Sequence, residues 1–406
     1  MNLKTLIILV FLVFIILVTL DYFLANFPKK NLNIKVLEIT IHNPTECTLF
    51  VPYQQKIRVN GSIMEKYKIN TDGSNVFFFT NLSNPNESIL FSWFAGYYGN
   101  EAIWWVKLTD KIPPNGNITI YMYIGSPEDN YYKSYYPYVG ISSFVYNNYS
   151  WGPKSQYDNG KFVFTFYGWF YETLDGWYGL IKHGSYNVTP TNKGVEMIGN
   201  TINQGSYIMP YNTGNISIAP IIVEEGWFYD GEADAHTISL FGESFFGRSR
   251  AVFASGVNKL GGSTPALYGS VFVQYEYYNL SPRIYISYIG SNNSLQLYEG
   301  PFIINKTSNY LYTYFAIDFC DNDSKVYAST GYFLLDNIPP ISLLGTLDSN
   351  YRVSVEFDRK MLSGNHFAIG AGSGLESTSL QSVFWIVGRT HPPRGIMPEV
   401  YFREIR

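Results

Sequence analysis

The pattern that most constrains this chain is an alternation of apolar and polar residues with a period of two. In the segment 117–124, one predicted face carries only aliphatic side chains, namely Ile118, Ile120, Met122 and Ile124. This periodicity is that of a half-buried β-strand. The segment 102–109 is instead apolar on both faces, which is typical of a strand that is covered on both sides.

The link between these two segments has the composition of a turn. Residues 111–116 read Lys-Ile-Pro-Pro-Asn-Gly. Proline cannot continue a hydrogen-bonded ladder, and Asn-Gly tolerates positive φ. We therefore expect a β-hairpin or two adjacent strands here. Of the neighbouring Trp104 and Trp105 in the first strand, one should face the core and the other should face whatever covers the sheet.

The composition extends this interpretation to the whole chain. Aromatic residues make up 18% of the 406 residues and charged residues only 15%, with 36 Tyr and 35 Gly, so strand and turn formers dominate. The sequence predicts an all-β protein. Its 28 basic and 32 acidic residues are spread without blocks, which argues against nucleic acid as a partner.

Strand-like segments recur along the chain in two groups. Those of the first group lie at 36–41, 48–59, 76–80, 89–94, 102–109 and 118–124, and those of the second at 216–223, 270–277, 283–289, 311–319, 325–328, 351–357 and 383–387. The first group suggests a compact β-sandwich over 36–148. From Lys161 onward the β pattern covers about 240 residues, which suits a jelly roll. We assign it to 149–406 with a short C-terminal tail, and Gly-Pro-Lys-Ser at 152–155 marks the joint.

The amino-terminal segment has a different character. The run from Leu6 to Leu20, with Phe14 near its middle, has no charge and is bracketed by Lys4 and Asp21. Counted from Leu3, it would form about 27 Å of helix, close to the thickness of a bilayer core. We predict a transmembrane anchor over 1–27 and a polar stalk over 28–35. A cleaved signal peptide is the alternative, but no small-x-small cleavage site follows the run.

Asparagine sequons indicate on which side of the membrane the chain lies. Lysines after the apolar run argue mildly against export, but long domains translocate largely regardless of flanking charge. Eleven Asn-x-Ser/Thr motifs, roughly twice the chance expectation, therefore favour an extracellular location. The glycosylation candidates are Asn60, Asn81, Asn86, Asn117, Asn148, Asn187, Asn215, Asn279, Asn292, Asn305 and Asn322.

The chain has two cysteines, Cys47 and Cys320. They lie far apart in sequence and show no metal-type Cys-x-x-Cys spacing. A single disulfide bond and two buried thiols are both compatible with this pattern.

Five motifs of the first group resemble a known family. They are Val-Pro-Tyr-Gln-Gln-Lys-Ile-Arg at 51–58, Asn-Val-Phe-Phe-Phe at 75–79, Ile-Leu-Phe-Ser-Trp at 89–93, Ala-Ile-Trp-Trp-Val-Lys at 102–107 and Ile-Tyr-Met-Tyr-Ile-Gly at 120–125. Their order resembles family 2341 of the domains of unknown function. The resemblance implies a cell-surface or secreted β-sandwich, followed by a concanavalin- or laminin-G-like jelly roll.

Two departures from that family limit what the resemblance implies. Relatives carry an aromatic-Asp-Asp-aromatic turn where this chain has Tyr-Gly-Trp-Phe at 167–170, and they carry Asp where it has Phe384. No acidic site residue can therefore be carried over to this sequence. The family itself implies a surface location without an established activity.

The motifs of common enzymes are missing. Concanavalin-like glycosidases carry Glu-x-Asp-x-x-Glu on one strand, because an acid and a nucleophile must face the same side about 5 Å apart, and no such run occurs here. The five histidines are scattered outside any metalloprotease motif, and no nucleophile elbow or phosphate-binding loop is present. We predict no enzyme, no catalytic residue and no cofactor.

One acidic segment is a weak candidate for a metal site. If residues 229–236 formed a single strand, they would place four polar side chains on one face, those of Asp230, Glu232, Asp234 and His236. The intervening Gly and Ala would make a poor buried face, so a polar loop between strands is the favoured interpretation.

The abundance of aromatic residues is the remaining functional indication. Sugars present apolar C–H faces that stack on aromatic rings, so Trp151, Trp169, Trp177 and Trp227 are candidates for glycan stacking, with core packing as the alternative for each. We predict a single-pass, membrane-anchored extracellular glycoprotein with an adhesive, structural or glycan-contacting role, in contact with the membrane and with glycans or surface proteins. The alternatives are a lectin-like module and a membrane-tethered glycosidase. The composition also resembles surface proteins of archaea and of their viruses, which leaves cellular and viral origins open.

Overall fold

The structure, a computed structural model, describes the backbone of a defined set of segments: 35–183, 187–199, 204–210, 220–231, 234–242, 252–255, 263–266, 270–278, 281–289, 295–303, 308–318, 325–335, 337–347, 353–358, 364–373 and 379–405. Burial is described for a smaller set, mainly 35–177, 188–197, 220–228, 308–318, 337–347 and 380–405. Within these segments no helix is both long and apolar enough to cross a bilayer. The predicted anchor, with Leu6, Phe14 and Leu20, lies outside the described residues.

The first part of the chain forms seven strands and three short helices. The strands are β1 (Lys35–His42), β2 (Tyr53–Asn60), β3 (Val76–Phe79), β4 (Ser92–Tyr98), β5 (Glu101–Leu108), β6 (Asn117–Ile124) and β7 (Val139–Ile141). The helices are α1 (Gly61–Tyr67), α2 (Tyr131–Tyr135) and α3 (Ser143–Tyr146), and a single 3₁₀ turn covers Pro85–Glu87.

The rest of the chain is also mainly strand. After the short helix α4 (Gly160–Val163) come β8 (Phe166–Trp169), β9 (Trp177–His183), β10 (Asn187–Thr191), β11 (Gly194–Gly199), β12 (Gln204–Pro210), β13 (Ile221–Gly231), β14 (Asp234–Gly242), β15 (Val252–Ser255), β16 (Ser263–Ala266), β17 (Ser270–Tyr278), β18 (Ser281–Ile289), β19 (Leu295–Ile303), β20 (Tyr310–Asp318), β21 (Lys325–Leu335), β22 (Val353–Asp358), β23 (Gly364–Ser373), β24 (Ser379–Thr390) and β25 (Glu399–Glu404). Single 3₁₀ turns cover Ile341–Leu343 and Pro393–Gly395. The prediction of a predominantly β protein is confirmed.

The first unit is built from two four-stranded sheets, ordered β25-β1-β6-β3 and β2-β5-β4-β7. Their facing side chains form one apolar core that includes Ile39, Phe78, Trp104 and Met122. The aliphatic face of β6 supplies this core, as its alternation predicts, since Ile120, Met122 and Ile124 are all buried.

The predicted hairpin of β5 and β6 is wrong. These strands belong to different sheets, and residues 109–116 carry the chain from one sheet to the other. Ile112 in this connection forms an isolated bridge with Leu49. The apolar faces of β5 and β6 enter the same core from opposite sides. Alternation specifies which face is buried but not which sheet a strand joins.

The last strand joins the first unit rather than the second. β25 pairs antiparallel with β1, with Ile39 opposite Phe402. The interval 149–406 therefore ends in a strand that completes the sheet of the amino-terminal sandwich. A six-residue edge strand near the chain end has no local feature that identifies its partner, because the pairing connects residues more than 350 positions apart.

The second unit has two large antiparallel sheets. An eight-stranded sheet runs in the order β10-β11-β24-β13-β20-β21-β22, with β8 also pairing with β24. A seven-stranded sheet runs in the order β19-β18-β17-β14-β23-β12-β9. The strands β15 and β16 form a separate pair. Consecutive strands repeatedly change sheet, as at β13 and β14.

The two units share a second apolar core. It joins the outer face of β4 and β5 to the eight-stranded sheet and includes Trp93, Trp105, Phe164, Tyr314 and Trp385. Because Trp104 lies in the first core and Trp105 in the second, the adjacent indoles occupy opposite faces of β5. Both are buried, which confirms that this strand is covered on both sides.

Charged side chains are buried in this junction. Glu224 accepts hydrogen bonds from Arg389 Nε (2.9 Å), from the Gly345 N–H (2.8 Å) and from the Tyr312 hydroxyl. The Arg389 guanidinium lies 4.7 Å from the centroid of the Trp105 ring. Since Glu224 and Arg389 are fully buried, removing one member would leave the other charge buried without its partner.

The joint between the units is anchored by Asp158, which is 2% exposed. Its carboxylate accepts five hydrogen bonds: from Trp93 Nε1, from the N–H and hydroxyl of Ser143, from the Gly160 N–H and from the Tyr167 hydroxyl. These donors come from four residues on both sides of the joint, and one buried carboxylate thereby connects them. The joint is thus a packed part of the structure.

A second carboxylate stabilises the turn that follows β8. Asp175 forms an ion pair with Lys154 (2.6 Å) and accepts the Trp169 N–H (2.9 Å). Burial raises the pKa of Asp175, and the interactions with Lys154 oppose this rise. Within the first unit, in the loop between β1 and β2, Cys47 forms a disulfide bond. The other cysteine of the chain, Cys320, lies outside the described residues.

Candidate functional site: an aromatic groove at the joint

Three of the four tryptophans predicted to stack on glycans are core residues. Trp169, Trp177 and Trp227 are at most 2% exposed. Their indole N–H groups donate to Gly152 O (2.8 Å), Tyr167 O (3.1 Å) and Thr313 Oγ1 (3.1 Å). The prediction is wrong for these three, because a fully covered ring has no face to offer a ligand.

Trp151 occupies a different environment. It is only partly buried, and its Nε1 donates to Asn192 O at 2.8 Å. Its ring packs on Trp169 (centroids 4.4 Å apart) and meets Phe384 edge-on (5.4 Å). The indole is thus held rigidly from below by core rings while part of it reaches the surface.

A groove of about 730 Å³ opens beside Trp151. One side of it comes from the joint and the other from the start of β20 and the loop after β21. The lining residues are Phe144, Tyr149, Ser150, Trp151, Tyr310, Asn337, Ile338 and Pro340. The volume is within the usual range for ligand sites, and several partly exposed aromatic rings line it.

Tyr149 is the most exposed ring of this aromatic groove. It is 43% exposed, and the Phe144 ring meets it edge-on at 5.8 Å. Its position depends on Gly96, whose φ is +106°, since an added Cβ would lie 3.1 Å from Tyr149 Cε1 and 2.7 Å from Val145 Cγ2. Partial burial, with smaller effects of Tyr97 and Asp72, raises the pKa of Tyr149 to about 12. Its hydroxyl therefore stays protonated and can both donate and accept hydrogen bonds.

Tyr310 forms the opposite wall. Its ring stacks on Phe384 (6.1 Å) and contacts Phe228 (4.9 Å). Ser150 and Asn337 are exposed and add a hydroxyl and an amide to the lining. None of the lining residues carries a charge. The arrangement offers flat apolar surfaces next to neutral hydrogen-bonding groups.

Sequence reasoning identified Trp151 but missed the rest of the groove. Phe144 and Tyr149 precede Tyr310 by more than 150 residues, and Asn337 lies beyond another strand. The cluster of aromatic residues around the joint was visible in the sequence. Its separation into buried and exposed rings depends on the packing of the two units.

The acidic candidates for a metal site do not share one strand. Asp230 belongs to β13 of the eight-stranded sheet, whereas Asp234 and His236 belong to β14 of the seven-stranded sheet. Glu232 lies outside the described residues. Elsewhere, where side chains are described, no group of three or more His, Cys, Asp or Glu is placed to hold a metal ion.

The sequon asparagines of the first unit and the joint are exposed. These are Asn60, Asn81, Asn86, Asn117 and Asn148. Asn187 begins β10, and its own burial is not described. The remaining candidates lie outside the described residues, namely Asn215, Asn279, Asn292, Asn305 and Asn322. Glycosylation stays a prediction, and the five exposed side chains meet its first physical requirement.

No family model matches the sequence. The resemblance to family 2341 of the domains of unknown function therefore stays a prediction. Over 88 residues the chain is 34% identical to Uncharacterized protein 562 of Sulfolobus islandicus rod-shaped virus 1. The matched stretch is 21% of this chain and 14% of the viral protein, so most of that relative has no counterpart here.

Several solved lectin structures are similar over about half of the chain. They include lectin II from Ulex europaeus (9% identity, 56% of this chain and 99% of the lectin, TM-score 0.32). Peanut lectin (13%, 55% and 96%, 0.34) and the VIP36 exoplasmic domain in its Ca²⁺/Man2-bound form (11%, 58% and 96%, 0.34) are similar to the same extent. At these TM-scores the likeness carries no argument about this chain, and its β architecture is established by the strand pairing described above.

Proposed function

We propose that this chain is a membrane-anchored surface protein that contacts glycans through the aromatic groove, and that its second unit is a concanavalin-like jelly roll. The observation that carries the proposal is the groove itself. The rings of Tyr149, Trp151 and Tyr310 line an open, uncharged cleft. Trp151 packs on the buried Trp169, and Tyr310 packs on the buried Phe384.

The chemistry of the groove matches that of a neutral sugar. The C–H faces of a pyranose ring are apolar and pack on aromatic faces, while its hydroxyl groups need donors and acceptors at the rim. Ser150, Asn337 and the Tyr149 hydroxyl supply such groups. A purely apolar ligand would leave these polar groups desolvated without partners, which is unfavourable.

A surface location is supported by two further features. The disulfide bond of Cys47 is the kind of cross-link that persists in an oxidising environment. The five exposed sequons offer acceptors for surface glycosylation. With the apolar run from Leu6 to Leu20 as the anchor, the described residues would lie outside the membrane.

We propose binding rather than hydrolysis at the groove. A glycosidase needs two carboxyl groups that flank the scissile bond, and the lining residues of the groove include neither Asp nor Glu. The match to a viral protein motivates a virion or infected-cell surface as one setting for this activity.

The test is a glycan-array screen of the full-length chain in detergent micelles, followed by titration of the best ligand. Tyr149→Ala should weaken binding by about tenfold, the equivalent of about 1.4 kcal/mol, because the mutation removes one stacking surface. Tyr401→Ala is the matched control, since Tyr401 is 54% exposed on β25, away from the groove. Absence of glycan binding, or unchanged affinity in Tyr149→Ala, would refute the proposal.

A further inference from the structure

A second cavity, of about 540 Å³, is lined by residues of both units. Its walls come from β2, from the start of β5, from the loop at 345–346 and from the segment 395–402. None of its lining residues belongs to the aromatic groove. We refer to it as the β2 cavity.

Two residues that line the β2 cavity each have a buried oxygen atom without a protein partner. Gln55 is 1% exposed, and its Nε2 donates to Lys56 O (2.9 Å) and Pro398 O (3.5 Å). Because both partners are carbonyl oxygens, the amide atom that faces them must be the donor nitrogen, Nε2. The atom on the other side of the amide is therefore the oxygen, Oε1. Within the described part of the chain, the buried Gln55 Oε1 accepts no hydrogen bond, and the buried Thr346 Oγ1 neither accepts nor donates one.

A buried polar group without a hydrogen-bond partner is destabilising, because it has lost its contacts with water and gained none in the protein. Native proteins keep few such groups, and each calls for an explanation. Both residues line the same cavity. A ligand hydroxyl that donates to Gln55 Oε1, together with a second that pairs with Thr346 Oγ1, would satisfy both atoms.

The charges around the β2 cavity favour an anion. Its lining includes two cations, Lys56 and Arg58, and one anion, Glu101. Arg58 Nη1 lies 3.4 Å from Glu101 Oε2 in a pair that is 46% and 39% exposed, so this interaction is weak. A guanidinium has five N–H donors, and Arg58 therefore retains the capacity to bind a carboxylate.

The remaining wall is apolar. Met397, Val400 and Phe402 contribute to it, and the Lys56 ammonium at the other side is held by Gly345 O. A ligand that fits this environment has hydroxyl groups, an apolar face and one negative charge. The volume is that of an ordinary small-molecule site.

We propose that the β2 cavity binds a small hydroxylated anion of the sugar-acid class. Hydroxyl groups of the ligand bind Gln55 Oε1 and Thr346 Oγ1, its carboxylate binds Arg58, and its C–H face packs on Phe402. This site is independent of the aromatic groove and of the function proposed for it.

The test measures binding of glucuronate and of glucose to the full-length chain in detergent by calorimetry. Glucuronate should bind more tightly than glucose. Thr346→Val should weaken glucuronate binding by about tenfold without lowering the melting temperature, because it removes a hydroxyl that has no partner in the unliganded protein. Arg58→Gln should also weaken glucuronate binding by about tenfold and should reduce its salt dependence.

Arg403→Gln is the matched control, since Arg403 is 74% exposed in an ion pair with Glu38 and does not line the β2 cavity. Tyr149→Ala should bind glucuronate normally, which separates this proposal from the one for the aromatic groove. Equal binding of glucose and glucuronate, unaffected by Arg58→Gln, would overturn the assignment of an anion. If neither compound binds at millimolar concentration, the two oxygens serve only water and the proposal is overturned.

Discussion

Replacing Trp105 by alanine tests the central feature of this architecture, a sheet that is buried on both faces. Trp105 is fully buried in the core between the units. A buried indole removes about 150–250 Å² from water, and at ~25 cal/mol per Å² this corresponds to about 4–6 kcal/mol as an upper estimate. Substitutions of this kind in other cores cost about 3–5 kcal/mol.

We expect a loss of about 4 kcal/mol for Trp105→Ala, a large fraction of the stability of an ordinary domain. The mutation also removes the ring next to the Arg389 guanidinium, which lies 4.7 Å from its centroid. Trp105→Phe should cost only about 1–2 kcal/mol, because it retains a ring in the same place. Tyr401→Ala, on the surface, should stay within about 0.5 kcal/mol of wild type.

Urea unfolding of the full-length chain, followed by circular dichroism and fluorescence, gives these differences. Wild type should unfold in one transition by both probes, because β4 and β5 contribute to both cores. Trp104→Ala, in the first core, should cost about as much as Trp105→Ala. If Trp105→Ala costs less than about 1 kcal/mol while Trp104→Ala costs several, the second face of β5 is not packed as described.

Three further outcomes are expected. Asp158→Ala should lower the unfolding free energy by about 3–5 kcal/mol, because several buried donors lose their acceptor, and a denaturation midpoint equal to that of wild type would contradict this role. Burial raises the pKa of Asp175 above its unfolded value, so the folded state binds the carboxyl proton more tightly than the unfolded state does. The protonated carboxyl therefore stabilises the fold at low pH. This contribution is lost as pH rises through the folded pKa. The melting temperature of wild type relative to that of Asp175→Asn should therefore decrease as pH rises above about 3.9, the ordinary pKa of Asp. A difference that does not change with pH would show that Lys154 fully offsets the burial. If the run from Leu6 to Leu20 is an uncleaved anchor, the mature protein should begin at Met1 or Asn2 and stay with membranes through a carbonate wash, whereas an amino terminus after Ala25 would exclude it.

The four candidate tryptophans show that residue type alone does not predict which aromatic rings are exposed. The rings of all four tryptophans have the chemistry to stack on sugars, but only Trp151 is partly exposed. An indole in a strand-rich segment serves core packing and ligand stacking equally well. Whether it is covered depends on the element packed above it, which no local pattern specifies.

The sequence by itself determined the local structure. The period of two and the scarcity of charge determined the all-β class and the buried face of β6, and the apolar character of both faces of β5 required two covering layers. Only the tertiary structure decided the long-range arrangement: that β5 and β6 lie in different sheets, that β25 returns to pair with β1, and that the second covering layer is the eight-stranded sheet. The physical reason is that side-chain alternation acts within one strand, whereas strand partners, grooves and cavities arise from contacts between residues that are hundreds of positions apart.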